Sequence, residues 1–387
     1  MYYTTKINKF KIKKTLWCSE KFRLFCYNVF INIRNGVKLM DVRNVTMEEW
    51  LKATFPEWGT WLNEEIEEEI VPENNFSMWW LGCVGIWLKS DKGTNLSIDF
   101  WCGSGKRSKK NKFMAPNHQY RRMCGCSLNQ PNRRLIPVVI DPFSVKNLDA
   151  LLCTHYHSDH IDPYVAGAVL QNCPDTKFIG PRGCIDIWKS WGVPEDRLIQ
   201  VKPGDEITIK DLKIIVLKSF DRTIDFSAYP IEGVEATMDD KAVNYLIQTS
   251  GGTLYHAGDS HYSNQFALHG NKYQIDVALG AYAQNPRGLT DKMSTSDFIR
   301  MGEALNAKVI IPTHYDTWSN FQSDVNAINL LYESQKERLE YKFHPFIWQV
   351  GGKYTYPQDI DKRVYNYERG FPDVFENDFA WPYDNFL

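Results

Sequence analysis

Apolar positions along this chain fall in short blocks divided by turn residues, a pattern of strands alternating with helices rather than long amphipathic helices. Thr46 with Glu49 three residues later forms a capping box ahead of Trp50 and Leu51, so a helix starts there. Acidic, helical sequence continues to about residue 70. Residues 78–89 read as one strand carrying Gly82 and Gly85, followed by an Asp91-Lys92-Gly93 turn and a second strand over 95–100 with Asp99 near its end. Residues 136–140 and 149–154 are apolar runs of strand length, and the second leads directly into His155. A helix over 164–170, a strand over 177–180 and a helix over 184–191 follow. Strands then dominate over 198–201, 206–209, 213–217 and 243–249, the last turning through Gly251-Gly252 into 253–256. A strand over 276–282, a helix over 297–305 and a strand over 308–312 complete the pattern, which is that of an α/β chain without internal repeats.

With 387 residues, 43% of them hydrophobic, the chain can bury a large core, which excludes a disordered or collagen-like protein. The formal charge of -2 conceals a division. Residues 1–40 hold nine Lys/Arg against the single acid Glu20, and residues 101–140 hold nine with no acid, so the remainder is strongly acidic. Residues 1–40 read as a basic N-terminal extension, with Met40 as an alternative start, ahead of one domain over 41–387. Nine cysteines without a CxxC spacing suit a reducing cytoplasm better than a disulfide framework. No apolar run approaches the roughly 20 residues needed to cross a bilayer, and the best signal-like stretch, 24–33, is broken by Asn28 and Asn32. No membrane partner is expected. The basic stretch invites a nucleic-acid reading, but it carries few aromatics, Phe113 and Tyr120 among them; a solvated loop or an oligomer contact explains it better.

Chemistry concentrates in Thr154-His155-Tyr156-His157-Ser158-Asp159-His160, which gathers three of the nine histidines within six residues. Two imidazoles two apart in an extended loop can face one cation, while the Asp-His pair after them addresses a second. Imidazole and carboxylate are ligands for Zn2+, Mn2+ or iron, and paired ions activate water for hydrolysis.

This motif resembles that of the metallo-β-lactamase superfamily, which implies an αββα sandwich. Asp99 resembles the aspartate that buttresses the metal loop, Gly258-Asp259-Ser260 the element whose aspartate bridges two metals, and Pro312-Thr313-His314 the final strand end. The resemblance implies that His155 and His157 bind a first metal, Asp159, His160 and His314 a second, and Asp259 both. The family's further histidine is missing, since none lies between His160 and His256. Asp221, after the apolar run 214–217, is either the oxygen ligand in its place or an acid engaged with Arg222 or the loop backbone. An oxygen-richer site moves preference towards Mn2+, with Zn2+ as the other candidate and one or two ions bound.

Longer stretches narrow the match. Thr54-Phe55-Pro56-Glu57-Trp58-Gly59, Met78-Trp79-Trp80-Leu81-Gly82, Asp99-Phe100-Trp101-Cys102-Gly103 and Asn285-Pro286-Arg287-Gly288 are similar to the bacterial L-ascorbate-6-phosphate lactonase family, from about residue 41 onwards. That resemblance implies cytoplasmic hydrolysis of a small phosphorylated lactone, L-ascorbate 6-phosphate, to 3-dehydro-L-gulonate 6-phosphate, by a homo-oligomer. Asp159 is expected to have a second role, orienting the attacking water and passing a proton to the leaving ring oxygen. Arg287 and Lys292 are candidates for gripping phosphate, or are solvated surface charges. His261 is a candidate substrate contact and Tyr156 a candidate pocket wall, each with a purely structural alternative. A metal-dependent nuclease or phosphodiesterase would use the same ligands.

Overall fold

The computed structural model describes residues 41–54, 62–106, 132–283, 292–319 and 322–366. The basic extension at 1–40 and most of the basic stretch, 107–131, lie outside the described residues. Two seven-stranded mixed sheets share one core, with helices beside them. The first sheet uses β1 (Phe76–Gly82), β2 (Gly85–Ser90), β3 (Asn95–Ile98), β6 (Ala150–Leu152), β7 (Lys177–Gly180), β8 (Leu198–Gln200) and β16 (Lys353–Tyr356), ordered β16-β1-β2-β3-β6-β7-β8. The second uses β9 (Glu206–Ile209), β10 (Leu212–Lys218), β11 (Val243–Thr249), β12 (Gly252–His256), β13 (Val277–Ala281), β14 (Val309–Thr313) and β15 (His344–Pro345), ordered β15-β14-β13-β12-β11-β10-β9. A separate ribbon pairs β4 (Gly105–Lys106) with β5 (Asn132–Arg133).

Each sheet is antiparallel on one side and parallel on the other: β3, β6, β7 and β8 run parallel, as do β12, β13, β14 and β15. Parallel strands covered on both faces read as continuous apolar runs, which is why β6, β13 and β14 are wholly buried. The helices Pro163–Asn172 and Arg182–Ser190 connect β6, β7 and β8 as parallel crossovers require. The capping box forms as expected, with Glu49 N bonded to Thr46 Oγ1 at 3.2 Å and Thr46 N to Glu49 Oε2 at 2.9 Å, opening the helix Met47–Thr54.

Two expectations are corrected. The single strand expected over 78–89 is a hairpin, because the chain reverses at Gly82-Cys83-Val84-Gly85, with Gly82 at φ 102° and Cys83 at φ 54°. Residues 136–140 form no strand among the described residues. Val138, Val139 and Ile140 are buried by packing against the core, not by a ladder.

The hairpin turn sits directly on the loop after β3. A Cβ at Gly85 would lie 2.6 Å from the Asp99 carbonyl oxygen, an approach only glycine permits. The turn also reaches the other sheet: His314 N donates to Cys83 O at 2.9 Å, and His256 Nε2 lies 2.8 Å from Val84 O. Gly85→Ala should therefore lower the unfolding free energy by about 2 kcal/mol, read from the urea midpoint at unchanged slope.

Candidate metal centre

The loops after β3, β6, β10, β12 and β14 converge with the β1–β2 turn at one end of the two sheets. Val243 N donates to Thr154 O at 2.9 Å and the Tyr245 hydroxyl to Cys153 O at 2.9 Å, so the β6 loop is pinned to the second sheet. Gly258, at φ 51°, lets the β12 loop pass over Thr154; a Cβ there would sit 2.9 Å from Thr154 Oγ1. Ser260 Oγ joins this loop to the one after β10, accepting from Phe220 N at 3.0 Å and donating to Asn244 Oδ1 at 3.0 Å.

Within this convergence, ligand-type atoms form two groups. His155, His157, Asp221 and Asp259 offer one set, and Cys83, Asp159, His160 and His314 another, the atoms of each set lying within 4.8 Å of one another. Asp259 stands between them: its Oδ2 is 3.9 Å from His155 Nε2, 3.4 Å from His160 Nε2 and 3.8 Å from His314 Nε2.

Hydrogen bonds outside the two groups set the tautomers. Thr154 Oγ1 donates to Asp99 Oδ2 at 2.6 Å, so it accepts from the Nδ1–H of His155 at 3.1 Å and leaves His155 Nε2 as the free lone pair. His160 Nδ1 gives its proton to Asp99 Oδ2 at 3.0 Å, again freeing Nε2. His157 is turned the other way. Ser227 Oγ donates to Thr223 O at 2.9 Å and accepts from His157 Nε2–H at 2.8 Å, which frees Nδ1, 3.0 Å from His155 Nε2. Such outer partners orient metal-binding imidazoles.

Asp221 divides its two oxygens. Oδ1 caps the turn Arg222–Asp225, accepting from Thr223 N at 2.8 Å, Thr223 Oγ1 at 2.6 Å and Ile224 N at 3.1 Å. Oδ2 is buried without a hydrogen-bond partner, 3.7 Å from His155 Nε2. Both roles weighed for this residue are thus compatible, one on each oxygen. His160 Nε2, Asp259 Oδ1 and both ring nitrogens of His314 are likewise buried without hydrogen-bond partners. Buried polar atoms left bare are costly, and divalent cations in the two groups would engage the bare Asp221 and Asp259 oxygens and one ring nitrogen each of His160 and His314; the residues present fit divalent metal.

The electrostatics agree. Burial works against charge on His160 and His314, yet facing Asp259, Asp159 and Asp99 for the former, and Cys83, Asp259 and Asp159 for the latter, lifts both well above the ordinary imidazole range. His155 moves down, through burial and then the neighbouring His160 and His157. Burial also opposes ionisation of Asp159, but His160 and His314 more than offset it and hold the carboxyl far below its usual range. The second group attracts protons where a cation belongs.

The remaining candidates take varied positions. Lys292 is buried, with Nζ 3.0 Å from Asp259 Oδ2, inside the centre and not on an outer rim. His261 Nδ1 accepts from Arg222 N at 3.3 Å and so braces the Asp221 turn. Tyr156 is buried, its hydroxyl donating to Ala228 O at 3.2 Å. Arg287 lies outside the described residues. Cys83 and Ser227 are the residues that sequence reasoning missed. The pair of glycines around Cys83 was the available signal, since it marks a turn and not a continuous strand.

A family model described as a β-lactamase superfamily domain matches residues 124–315. "Probable L-ascorbate-6-phosphate lactonase UlaG" of Escherichia coli O127:H6 (strain E2348/69 / EPEC) is 56% identical over 355 residues, covering 90% of this chain and 100% of that protein. The protein of the same name from Escherichia coli (strain SMS-3-5 / SECEC) matches to the same extent. Among solved structures, Igni18, a metallo hydrolase from the archaeon Ignicoccus hospitalis KIN4/I, aligns with TM-score 0.50 at 17% identity, over 73% of this chain and 98% of that one. A "possible metal-dependent hydrolase" from Veillonella parvula DSM 2008 aligns with TM-score 0.51 at 14% identity, over 73% and 99%. At these identities the likeness is one of fold.

Asp99→Asn keeps the shape of the buttress and an acceptor for Thr154 N, but replaces the Oδ2 acceptor that Thr154 Oγ1 and His160 Nδ1 share with an amide donor. It should weaken divalent-metal binding by about 10- to 100-fold, measured by competition with a chromophoric chelator.

Proposed function

The chain belongs to the L-ascorbate-6-phosphate lactonase family of the β-lactamase superfamily, and from that premise we propose that it is a metal-dependent hydrolase that opens the lactone of L-ascorbate 6-phosphate to 3-dehydro-L-gulonate 6-phosphate. The observation that carries this reading is the pair of ligand groups meeting at Asp259, in a chain 56% identical to such lactonases across their whole length.

Divalent cations held by these residues would lower the pKa of water towards neutrality and polarise the lactone carbonyl. The residues of the chain then have separable tasks. His155, His157, Asp221 and Asp259 form one cation site; Asp159, His160 and His314 belong to the other. Asp159 is 17% exposed, so its carboxylate reaches the solvent side of the centre while touching His160 and His314. Held ionised by His160 and His314, it can accept a hydrogen bond from the attacking water and so orient it, and we assign it the transfer of that water's proton to the ring oxygen as the ester bond breaks. One water is consumed, and the products are a carboxylate and a hydroxyl on the opened chain. Lys292 adds a positive charge on the Asp259 side, and with Arg287 it is our assignment for holding the anionic substrate.

The two carboxylates and two imidazoles around the first cation suit Mn2+ as well as Zn2+. A cytoplasmic setting is supported by the free, buried state of the described cysteines. No helix among the described residues is long and apolar enough to cross a membrane. The homo-oligomer rests on the family resemblance.

Purified protein supplied with Mn2+ or Zn2+ should consume the enediol absorbance of L-ascorbate 6-phosphate; no loss with any divalent metal overturns the reading, and cleavage of phosphodiesters instead would move it to the nuclease branch. Asp159→Asn, with metal content confirmed, should lower kcat by about 100-fold or more while changing KM little. Near-normal turnover by that variant would remove Asp159 from the proton transfer.

A further inference from the structure

Cys83 differs from its fellow cysteines in what its thiol faces. Among the described residues, Cys102, Cys153 and Cys173 direct Sγ at backbone carbonyl oxygens. The Cys83 thiol instead lies 3.8 Å from Asp159 Oδ2 and falls in the group with His160 and His314. It is fully buried and comes from the β1–β2 turn, on the opposite sheet from His314. The backbone conformation is also unusual. Cys83 sits at φ 54°, a left-handed region that costs a non-glycine residue free energy and needs a reason from the surroundings. Two bonds to its carbonyl oxygen hold it there: Trp80 Nε1 donates at 3.0 Å and His314 N at 2.9 Å. The turn is therefore built against the end of β14, with the side chain pointing among metal-ligand atoms.

We propose that Cys83 is a thiolate ligand of the second cation site, which makes the two sites chemically different: two imidazoles and two carboxylates at the first, and two imidazoles, one carboxylate and one thiolate at the second. A four-coordinate ion with ligand bonds of about 2.0 to 2.3 Å holds its ligand atoms roughly 3.4 to 3.8 Å apart. The separations are compatible with this: Cys83 Sγ lies 3.8 Å and His314 Nε2 3.7 Å from the same oxygen, Asp159 Oδ2, and one ligand atom from each of the four residues lies within 4.8 Å of the others. On binding, the thiol proton leaves to water and the sulfur lone pair goes to the metal, with no change of oxidation state. Thiolate is a soft ligand, so the second site prefers Zn2+ or Co2+ over Mn2+ and Mg2+ more strongly than the first does. The proposal rests on the metal centre described above and not on the substrate.

Cobalt provides the test, because a sulfur ligand adds a near-ultraviolet charge-transfer band that nitrogen and oxygen ligands do not. The full chain loaded with Co2+ should show that band; Cys83→Ser should lose it while keeping the visible bands of cobalt at the first site, and Cys102→Ser should retain it. Zn2+ affinity at the second site should fall about 100-fold or more in Cys83→Ser, with Mn2+ affinity nearly unchanged. X-ray absorption of the zinc-loaded wild-type chain, which needs no variant to fold, should contain a sulfur shell at about 2.3 Å. A wild-type protein without a sulfur shell, or a charge-transfer band that survives in Cys83→Ser, overturns the proposal. Neither readout involves lactone hydrolysis, so failure here leaves the substrate assignment to its own assay.

Discussion

The carboxylate of Asp99 is completely buried and accepts three hydrogen bonds, from Thr154 N at 2.7 Å, Thr154 Oγ1 at 2.6 Å and His160 Nδ1 at 3.0 Å. A desolvated carboxylate is tolerable only when such donors surround it. In return it fixes what the centre needs. Through Thr154 it determines which nitrogen of His155 is bare, and directly it determines the same for His160. It also binds β3 to the loop after β6, so the local geometry of that loop is set by a residue more than fifty positions upstream. Its own backbone lies at φ 52°, and with Cys83 and His314 it makes three non-glycine residues held in the left-handed region around one centre. Strain of this kind persists where surrounding structure over-determines it; here the two sheets press on the same three turns.

The sheets explain why so many loops meet. Strand order reverses sense within each sheet, and the chain places its ligand-type residues after strands that end on one side. The hydrogen bonds from His314 N to Cys83 O and between His256 and Val84 O then join the sheets at that side. Secondary structure alone would leave the loops near one another. These cross-sheet bonds hold the groups to ångström tolerances, which a coordination site requires.

Much of this was legible because its signal is local. The His155 to His160 run reveals itself within six residues, and the crossover helices and buried parallel strands follow from length and apolarity. Asp221 was reachable by asking what could replace a histidine absent between His160 and His256. Its division of labour was not, since N-capping and site-facing oxygens look identical in a sequence. Cys83 was hidden by burial itself: the apolar runs on either side of Gly82 and Gly85 merge into one apparent strand, and its partners lie 76 to 231 positions away. Residues 136–140 failed in the opposite way. Their apolarity is real and they are buried, but apolarity reports burial and not the presence of a ladder partner.

Charge at the centre bears on how many ions it holds. Among the described residues, Asp99, Asp159, Asp221 and Asp259 set four carboxylates against the ammonium of Lys292, all within a nearly dry region. In the metal-free protein, protons drawn onto His160 and His314 make up part of the difference, which is the physical meaning of their raised proton affinity. Metal must displace those protons, because an imidazole cannot carry a proton on the nitrogen it offers as a ligand. One divalent ion then leaves the centre negative, a poor environment for a phosphorylated substrate and worse for the oxyanion formed when its carbonyl is attacked. A second ion brings the centre to neutrality with Cys83 as thiolate, or just beyond it without. The overall charge of -2 is therefore irrelevant to substrate attraction. What decides it is the local balance among these side chains and the divalent metal they hold.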